Sequence, residues 1–226
     1  MRINKYMAEA GLCTRREADR YIAEGLVYIN GVKAKLGDQV NEGDRIETEL
    51  PERNYRYFAY NKPRGIVTHS PVAGQQGITD IAGLQGVAPM GRLDKDSHGL
   101  IILTDDGRIT EKLLGPEANK EKEYTVMTKE HIPPSLKRRM EQGVDIEGYM
   151  TKPATVKILG DKKFSIILTE GKKHQIRRMC AAWGYTVADL KRIRVMNIKL
   201  GNLQPGQFRT IKGLELKEFL QNLGVK

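Results

Sequence analysis

The sequence contains one strong candidate for a reacting carboxylate, Asp94, in the segment GRLDKDSHGLIILTDDG from Gly91 to Gly107. Arg92 stands two residues before it, and the apolar run LIIL begins at Leu100. A carboxylate on a turn that leads into a buried strand is held in one place, which suits an oxygen nucleophile acting on a sugar or a base. Aspartate is also a favoured turn residue for local reasons, so position alone leaves a structural role open.

A second segment with chemical potential is EGKKHQIRRMC, from Glu170 to Cys180, in which residues 175–179 fit the start of a helix. Its two arginines could lie on the surface of that helix. An arginine directed inward would instead offer a carboxylate a bidentate, charge-assisted partner and keep it ionised inside a pocket. The segment therefore supplies a candidate partner for the carboxylate of Asp94.

Composition places the chain among ordinary globular proteins. Its 226 residues are 39% hydrophobic and 6% aromatic, and this length suits one small module plus a mid-sized domain with a substantial core. No apolar run reaches membrane-spanning length, and the start MRINKYMAEAG lacks the features of a secretory signal. We therefore expect a cytoplasmic protein with no membrane partner.

Neither the cysteines nor the histidines form a metal-binding pattern. Cys13 and Cys180 lie far apart in sequence, which favours reduced thiols over a disulfide. The four histidines are scattered without ligand spacing, at positions His69, His98, His131 and His174. No G-x-G-x-x-G segment follows a strand, and no Walker loop is present. The sequence therefore predicts no metal and no cofactor.

The whole chain has a formal net charge of +10, and its basic residues are concentrated in the second part of the sequence. Residues 1–56 contain ten lysines and arginines and ten acids, so this part is neutral. Between Lys172 and Lys212, ten basic residues stand against the single acid Asp189. A surface of one sign and of this size is typical of a polyanion partner, most commonly a nucleic acid, although a basic face without a partner stays open.

Residues 1–48 form a compact unit whose elements can be predicted locally. A first short helix ends at Gly11. Residues 14–17, TRRE, have the capping-box pattern that begins a second helix, and its inward residues would be Ala18, Tyr21 and Ile22. Asn30 and Gly31 favour a tight turn in a β-hairpin over residues 26–34, and a short strand should follow at 45–47.

A polar stretch with a proline, residues 49–56, is the expected linker to a larger domain over 57–226. That domain should begin with two strands around a turn at 61–65, followed by a flexible, glycine-rich stretch from Val72 to Gly86. Further strands are predicted at 99–104, 123–127, 154–159 and 164–169, with helices near 109–114, 134–142 and 174–183. Strands and helices mix without regular alternation, which indicates an α+β domain built on a mostly antiparallel mixed β-sheet flanked by helices.

Residues 1–48 resemble an S4 RNA-binding domain, since the order of helix, T-R-R-E-A helix, glycine and V-x-I-N-G hairpin matches that family. The resemblance implies binding to structured RNA through the helix that carries Arg15, Arg16 and Arg20. These arginines stand near a positively polarised helix N-terminus, where phosphates bind readily. They could equally be solvated helix charges.

Four segments of the larger domain resemble the pseudouridine synthases of the RsuA, RluB, RluE and RluF family, and most of all its RluF branch. The segments are NKPRG, GRLDKDSHGL, KEY at 122–124 and QIRRMC. The resemblance implies the pseudouridine synthase fold and the isomerisation of uridine to pseudouridine in ribosomal RNA, without a cofactor. It favours 23S rRNA of the large subunit over transfer RNA. The basic stretch Lys172–Lys212 would then supply phosphate contacts.

By the same resemblance, Asp94 is the essential catalytic aspartate. Arg92 enters the RNA helix or holds the space that the flipped uridine vacates. Tyr124 stacks on the flipped base and takes part in proton transfer, and Arg177 is the partner of the aspartate. Contacts with the pocket or the RNA are further implied for Lys62, Pro63 and Arg178, of which the first two could also form a purely structural turn.

Two other functions stay open for the sequence. The chain could be a non-enzymatic ribosome-assembly factor that only binds RNA. It could also be a hydrolase in which Asp94 and Asp96 cleave the base from the sugar, and such an enzyme would admit water and release free uracil. We expect a monomer that meets ribosomal RNA either free or within an assembly intermediate.

Overall fold

The computed structural model describes residues 1–68, 77–78, 84–115 and 117–225 of the chain. His69 lies outside these residues. So does most of the glycine-rich stretch Val72–Gly86, which the sequence predicts to be flexible. Within the described ranges, none of the helices combines the length and the apolar character that a membrane crossing needs.

Two helices and three short strands make up the N-terminal unit: α1 Ile3–Glu9, α2 Arg15–Ala23, β1 Val27–Ile29, β2 Val32–Lys33 and β3 Ile46–Thr48. The strands form an antiparallel sheet of order β2-β1-β3. The predicted capping box is confirmed, because Thr14 Oγ1 accepts from the Glu17 N–H at 3.2 Å and Glu17 Oε2 accepts from the Thr14 N–H at 2.9 Å. Asn30 and Gly31 have φ angles of 51° and 78°, as the predicted hairpin turn requires.

The N-terminal unit has a core of its own, in which the predicted inward residues Ala18, Tyr21 and Ile22 are buried. Cys13 belongs to this core, and Cys180 belongs to another. Both are buried free thiols, which confirms the prediction from their spacing. Burial raises the pKa of Cys13 to about 11 and that of Cys180 to about 12, so neither thiol is reactive at neutral pH.

Residues 49–56 form neither helix nor strand. Their side chains nevertheless contact both parts of the molecule. Arg53 makes an ion pair with Glu17, in the first turn of α2. The ring centroid of Tyr55 lies 5.0 Å from the guanidinium carbon of Arg53 and 4.4 Å from that of Arg108 in the larger part of the chain. The segment at the position of the expected linker therefore contacts both the N-terminal unit and the larger part of the chain.

The larger part of the chain is built on a nine-stranded sheet. Its strands are β4 Tyr57–Lys62, β5 Ala88–Met90, β6 His98–Thr104, β7 Lys122–Thr128, β8 Thr155–Gly160, β9 Lys163–Leu168, β10 Val187–Val195, β11 Ile198–Lys199 and β12 Phe208–Thr210. The main path is β12-β4-β6-β10-β7-β9-β8, with β5 beside β6 and β11 beside β10. Among the described strands only β10 and β6 pair in parallel, which confirms the mostly antiparallel mixed sheet.

The described residues of this part also form four helices: α3 Ile109–Leu114, α4 Ser135–Glu141, α5 Gln175–Ala181 and α6 Gly213–Leu223. Leu113 of α3 and Phe219 of α6 are buried in one core with residues of β4 and β6. Leu136 of α4 and Met179 of α5 are buried in a second core with residues of β7 and β9. The helices thus flank the sheet, as the α+β prediction requires.

Some elements differ from the predictions. Of the second strand expected after the turn at 61–65, the residues that the structure describes show an isolated bridge between Val67 and Gly77. The sequence patterns also do not predict β5, β10, β11, β12 and α6. β10 is nine residues long and lies within the stretch interpreted as a basic surface. Its lysines and arginines obscure a strand whose Leu190 and Val195 are buried.

Gly99 allows β6 and β10 to run side by side. It pairs with Arg192 in the parallel register and has a φ angle of +104°, which L side chains rarely adopt. A Cβ at this position would lie 2.3 Å from the carbonyl oxygen of Arg192 and 2.8 Å from its amide nitrogen. Because both atoms belong to the backbone of the neighbouring strand, no side chain can move aside to make room.

Gly99→Ala should therefore destabilise the protein by about 3 kcal/mol, through overpacking and strain at a positive φ angle. Urea unfolding followed by circular dichroism measures the loss. Gly160→Ala is the matched control, since Gly160 also lies in a strand but has open space around it. Equal losses in the two variants would contradict the close approach of β6 and β10.

Candidate active site

Asp94 lies in the loop between β5 and β6, and the backbone of this loop is fixed by its neighbours. Leu93 is buried. Its N–H donates to Thr68 Oγ1 at 3.1 Å, and its carbonyl accepts from the same hydroxyl at 2.7 Å. The Ser97 N–H donates to the Asp94 carbonyl at 3.0 Å. The carboxylate of Asp94 is therefore carried by a backbone anchored on both sides, as the sequence predicts for a positioned acid.

The carboxylate of Asp94 is 38% exposed, and its Oδ1 lies 3.4 Å from Nε2 of His174. His174 precedes α5 and has a φ angle of 52°, in the left-handed region. Sequence reasoning considered His174 only as a metal ligand and gave it no role at the site. Its position directly before QIRRM was the signal that could have placed it near the aspartate.

Lys62 is fully buried, at 0% exposure, which corrects its predicted role in contacting RNA. Its Nζ donates to the carbonyls of Pro63 at 3.0 Å and Ile66 at 2.7 Å. Burial lowers its pKa to about 8, although the nearby carboxylates of Asp94 and Asp96 favour the charged form. Lys62 therefore supports the turn behind Asp94 from inside the protein.

A cleft of about 920 Å³ opens beside Asp94, within the range of sites for small molecules and nucleotides. Three predicted site residues from two separate segments line it, namely Arg92 and Asp94 from one and Tyr124 from the other. Asp96 is exposed and is not part of the lining, so the structure does not support a hydrolase with paired carboxylates. The cleft instead presents the carboxylates of Asp94 and Glu170 and the rings of Tyr124 and Tyr149.

Lys122, Tyr124 and Arg192 project from one face of the sheet. Tyr124 and Arg192 are direct partners across the antiparallel strands β7 and β10, so their side chains share a face. Lys122 is two residues before Tyr124 on β7, which places it on the same face. All three line the cleft. Sequence reasoning assigned no role to Lys122 or Arg192, although strand alternation from Tyr124 pointed to Lys122.

Arg177 does not pair with Asp94, which corrects the predicted partnership. Its Nη1 donates to the carbonyl of Val187 at 3.2 Å, and its Nη2 lies 3.5 Å from Ser97 Oγ. Among the described residues Asp94 has an ion-pair contact only with His174. Arg177 thus contacts the far end of the loop that carries the aspartate.

Arg178 is also remote from the cleft lining. It donates to the carbonyl of Ile146 at 2.6 Å and makes an ion pair with Glu147 at 2.8 Å. The physical reason is the phase of α5, which turns Ile176, Met179 and Cys180 into the core and leaves the two arginines on other faces. The structure therefore does not bring Arg178 together with Asp94 and Tyr124, and its predicted contact with the RNA stays a prediction.

The basic stretch Lys172–Lys212 is not a single free surface. Arg194 pairs with Glu121 and Glu123, at 2.9 and 2.8 Å, and Arg209 pairs with Glu215 at 2.6 Å. These acids lie outside the stretch in sequence, so the count of charges between Lys172 and Lys212 does not include them. The positive charge around the cleft comes instead from several segments: Arg92, Lys95, Lys152, Lys172 and Lys173.

The three arginines of α2 are exposed, as predicted for a contact surface. Arg20 lies 3.8 Å from Glu24 and 4.9 Å from the ring centroid of Tyr21. Arg15 and Arg16 make no ion pair with any described residue. Two of the three guanidinium groups are therefore available to an anion outside the protein.

A further cluster connects the two loops beside Asp94 and was not predicted. Asp189 on β10 makes an ion pair with Arg64 and a hydrogen bond with His98 Nε2 at 2.9 Å. Burial raises the pKa of Asp189, but the contacts with His98 and Arg64 outweigh it and hold that pKa below its usual range. The Gly65 N–H also donates to the carbonyl of Lys95 at 2.9 Å. The NKPRG turn thereby becomes part of the support of the catalytic loop.

Comparison with known proteins identifies the arrangement. A family model described as RNA pseudouridylate synthase matches residues 56–182, more than half of the chain, and a model of the S4 domain matches residues 1–46. The chain belongs to the RNA pseudouridylate synthase family. This confirms the family indicated by the four segments and by the N-terminal unit.

Relatives within the RNA pseudouridylate synthase family match almost the whole chain. The dual-specificity RNA pseudouridine synthase RluF of Escherichia coli strain K12 is 42% identical over 96% of this chain and 77% of its own. The ribosomal large subunit pseudouridine synthase B of Bacillus subtilis strain 168 is 35% identical over 96% of this chain and 94% of its own. A crystal structure of a pseudouridylate synthase, 29% identical, superposes with a TM-score of 0.66 over 99% of both chains.

The geometry suits a pseudouridylate synthase in one further respect. The cleft places the carboxylate of Asp94 beside a space of the size that one nucleotide needs. In the described part of the chain, no three His, Cys, Asp or Glu side chains come together in a group that could hold a metal ion.

The lowered pKa of Lys62 gives a prediction about pH. Lys62 has a pKa of about 8 in the folded protein against 10.5 for the ordinary group, so between these values the unfolded chain binds more protons. Its contribution therefore makes the free energy of unfolding rise with pH from about 8 to 9.5. In Lys62→Met this part of the slope should disappear, as measured by urea unfolding at several pH values. Lys163→Met, which removes an exposed lysine of β9, controls for the loss of one charge, and equal slopes in all three proteins would refute the prediction.

Proposed function

We propose that this protein isomerises specific uridines to pseudouridine in ribosomal RNA, and that 23S rRNA of the large subunit is its substrate. The observation that carries the proposal is the convergence of Arg92, Asp94 and Tyr124 in one basic cleft. Two relatives support the proposed substrate. One is named ribosomal large subunit pseudouridine synthase B, and the other is named dual-specificity RNA pseudouridine synthase RluF.

The proposed chemistry breaks the bond from C1′ of the ribose to N1 of uracil, rotates the base, and joins C1′ to C5. Electron deficiency develops on the sugar when the glycosidic bond breaks, and the carboxylate of Asp94 stabilises it or bonds to the sugar. Glu170, the other carboxylate in the lining, accepts hydrogen bonds from Tyr149, Lys152 and Gln175, whereas among the described residues Asp94 has an ion-pair contact only with His174, which supports this role for Asp94.

Tyr124 is proposed to stack on the flipped base, and Arg92 to hold the space that the base leaves in the RNA stem. Unstacking a base costs roughly a few kcal/mol. Aromatic stacking offsets about 1–3 kcal/mol of that cost. Tyr124 is suited to this task because it stands on a rigid central strand, and Arg92 because it is exposed at the mouth of the cleft.

The other predicted site residues take revised roles in the proposal. Arg177 positions the catalytic loop through Ser97, and Lys62 supports it from behind, so neither touches the substrate. Arg178 has a structural role through its pair with Glu147. RNA phosphates outside the cleft are met by the exposed arginines of α2, namely Arg15, Arg16 and Arg20.

We further propose a division into an S4-like RNA-binding domain at 1–48, a connection at 49–56 and a catalytic domain at 57–226. The protein then acts as a cytoplasmic monomer on ribosomal RNA, within an assembly intermediate in which the target stem is still accessible. A non-enzymatic assembly factor is less well supported. A carboxylate in the centre of a basic cleft repels RNA phosphate, so a protein that only binds RNA would gain nothing from Asp94.

Asp94→Asn tests the proposed function directly. Unmodified ribosomal RNA is incubated with the wild type or the variant, and pseudouridine is mapped by chemical modification and primer extension. The variant should lose at least about a thousandfold in rate, because an amide neither bonds to the sugar nor carries the charge that stabilises it.

Asp96→Asn is the matched control, since it makes the same change in the same loop outside the cleft lining. It should retain activity within about threefold. The proposed function fails if the wild type forms no pseudouridine in ribosomal or transfer RNA, or if Asp94→Asn is as active as the wild type. Release of free uracil by the wild type would establish a hydrolase instead.

A further inference from the structure

The floor of the cleft contains positive charge that no carboxylate in the described part of the chain neutralises. Arg192 is only 2% exposed, and its Nε donates to the carbonyl of Leu100 at 2.6 Å. Its Nη2 has no hydrogen-bond acceptor, and no ion pair with a described residue involves this side chain. A buried guanidinium without an anionic partner carries an electrostatic cost that folding alone does not explain.

Lys122 adds a second cation to the same floor. The one acceptor of its Nζ among the described residues is the carbonyl of Lys120, at 3.1 Å, and no carboxylate lies within ion-pair distance. Burial and the charge of Arg192 lower the pKa of Lys122 to about 8, so the ammonium is still protonated at neutral pH. Two cations that repel each other thus stand side by side in the cleft, a combination typical of functional sites.

The position of the two cations indicates which anion they meet. The RNA backbone carries permanent charge, but the exposed basic residues at the mouth of the cleft are available to it. Lys122 and Arg192 are placed deeper, on the same face of the sheet as Tyr124. A base stacked on Tyr124 therefore has its edge close to both cations.

The proposed isomerisation generates negative charge on that base. When the bond between C1′ and N1 breaks, the electron pair stays with uracil and is delocalised over N1 and the carbonyl oxygens. The electron-poor C1′ faces Asp94. After the base has rotated, the pair at C5 forms the new bond to C1′, the C5 proton is released to solvent and N1 takes up a proton from solvent, so the reaction is balanced without oxidant or reductant.

We propose that Lys122 and Arg192 stabilise the uracil anion while the base is detached from the sugar, and thereby keep it in the cleft during its rotation. This inference rests on the proposed isomerisation of uridine. Fixed charges aimed at the position where charge develops lower the barrier without reorganisation, and loss of one such group costs about a hundred- to a thousandfold in rate. In the free protein the two unpaired cations lower the stability of the fold, and the faster reaction compensates for that loss.

Lys122 is the better residue to substitute in a test, because Arg192 also donates a hydrogen bond to the backbone of β6 and its removal would weaken the fold. Lys122→Met should lower the single-turnover rate of tritium release from large-subunit ribosomal RNA labelled at C5 of uridine by about a hundredfold. The Kd for the same RNA, from filter binding, should stay within threefold. Thermal unfolding should occur at the same or a higher temperature, because the substitution removes an unpaired cation.

Two further variants separate charge from packing. Lys122→Ala leaves a space that propylammonium fits, so the added cation should restore part of the rate while propan-1-ol should not. Lys120→Met is the matched control on the same segment, since the one bond of the Lys120 side chain to a described residue is with the carbonyl of Asn222. It should keep the wild-type rate.

Three results would overturn the inference: wild-type rates in Lys122→Met, a deficit that lies entirely in the Kd, or equal recovery with propylammonium and propan-1-ol. Each of these presupposes that the wild type forms pseudouridine. Absence of tritium release from the wild type would instead count against the proposed function itself, so the two failures are distinguishable.

Discussion

The site depends on the position of β10 between β6 and β7. β6 follows the loop with Asp94, β7 carries Tyr124, and β10 supplies Arg192, although these three residues are far apart in sequence. The parallel contact of β10 with β6 is possible because Gly99 leaves room for the backbone of Arg192. On its other side β10 pairs with β7 over most of its length, which fixes the register of Tyr124. One strand therefore sets the distances between the groups that line the cleft.

Electrostatics in this site combine the carboxylates of Asp94 and Glu170 with several cations of unequal exposure. The cations at the rim are hydrated and mobile, so they bind phosphate in a salt-dependent way. Those on the floor have lost much of their hydration, and charges act more strongly there because the surroundings are less polarisable. The same sign of charge thus serves two purposes at two depths, namely attraction of the polymer outside and control of the reacting base inside.

Local features of the sequence were sufficient for much of the fold. The capping box at Thr14 and the Asn30-Gly31 turn have partners within a few residues, and both are present in the structure. β10 was missed because the apolar Leu190 is followed on the same face by the basic Arg192, so the strand lacks the apolar alternation of a half-buried strand. Arg177 was misplaced for a related reason, since its acceptors, Val187 and Ser97, follow only from tertiary packing. The position of Arg192 beside Tyr124 depends on the register between β7 and β10, which cannot be predicted from either segment alone.

Glu17 has two partners at once, and this sharing limits how the RNA-binding unit can move. One of its oxygens accepts from the Thr14 N–H and begins α2, while the other pairs with Arg53. Rotation of the N-terminal unit away from the connection therefore breaks the ion pair or frays the helix that presents the exposed arginines, at a cost of about 1 kcal/mol for either contact. Glu17 therefore links the helix that presents the arginines to the connection with only about 1 kcal/mol, a small part of the stability of a folded domain.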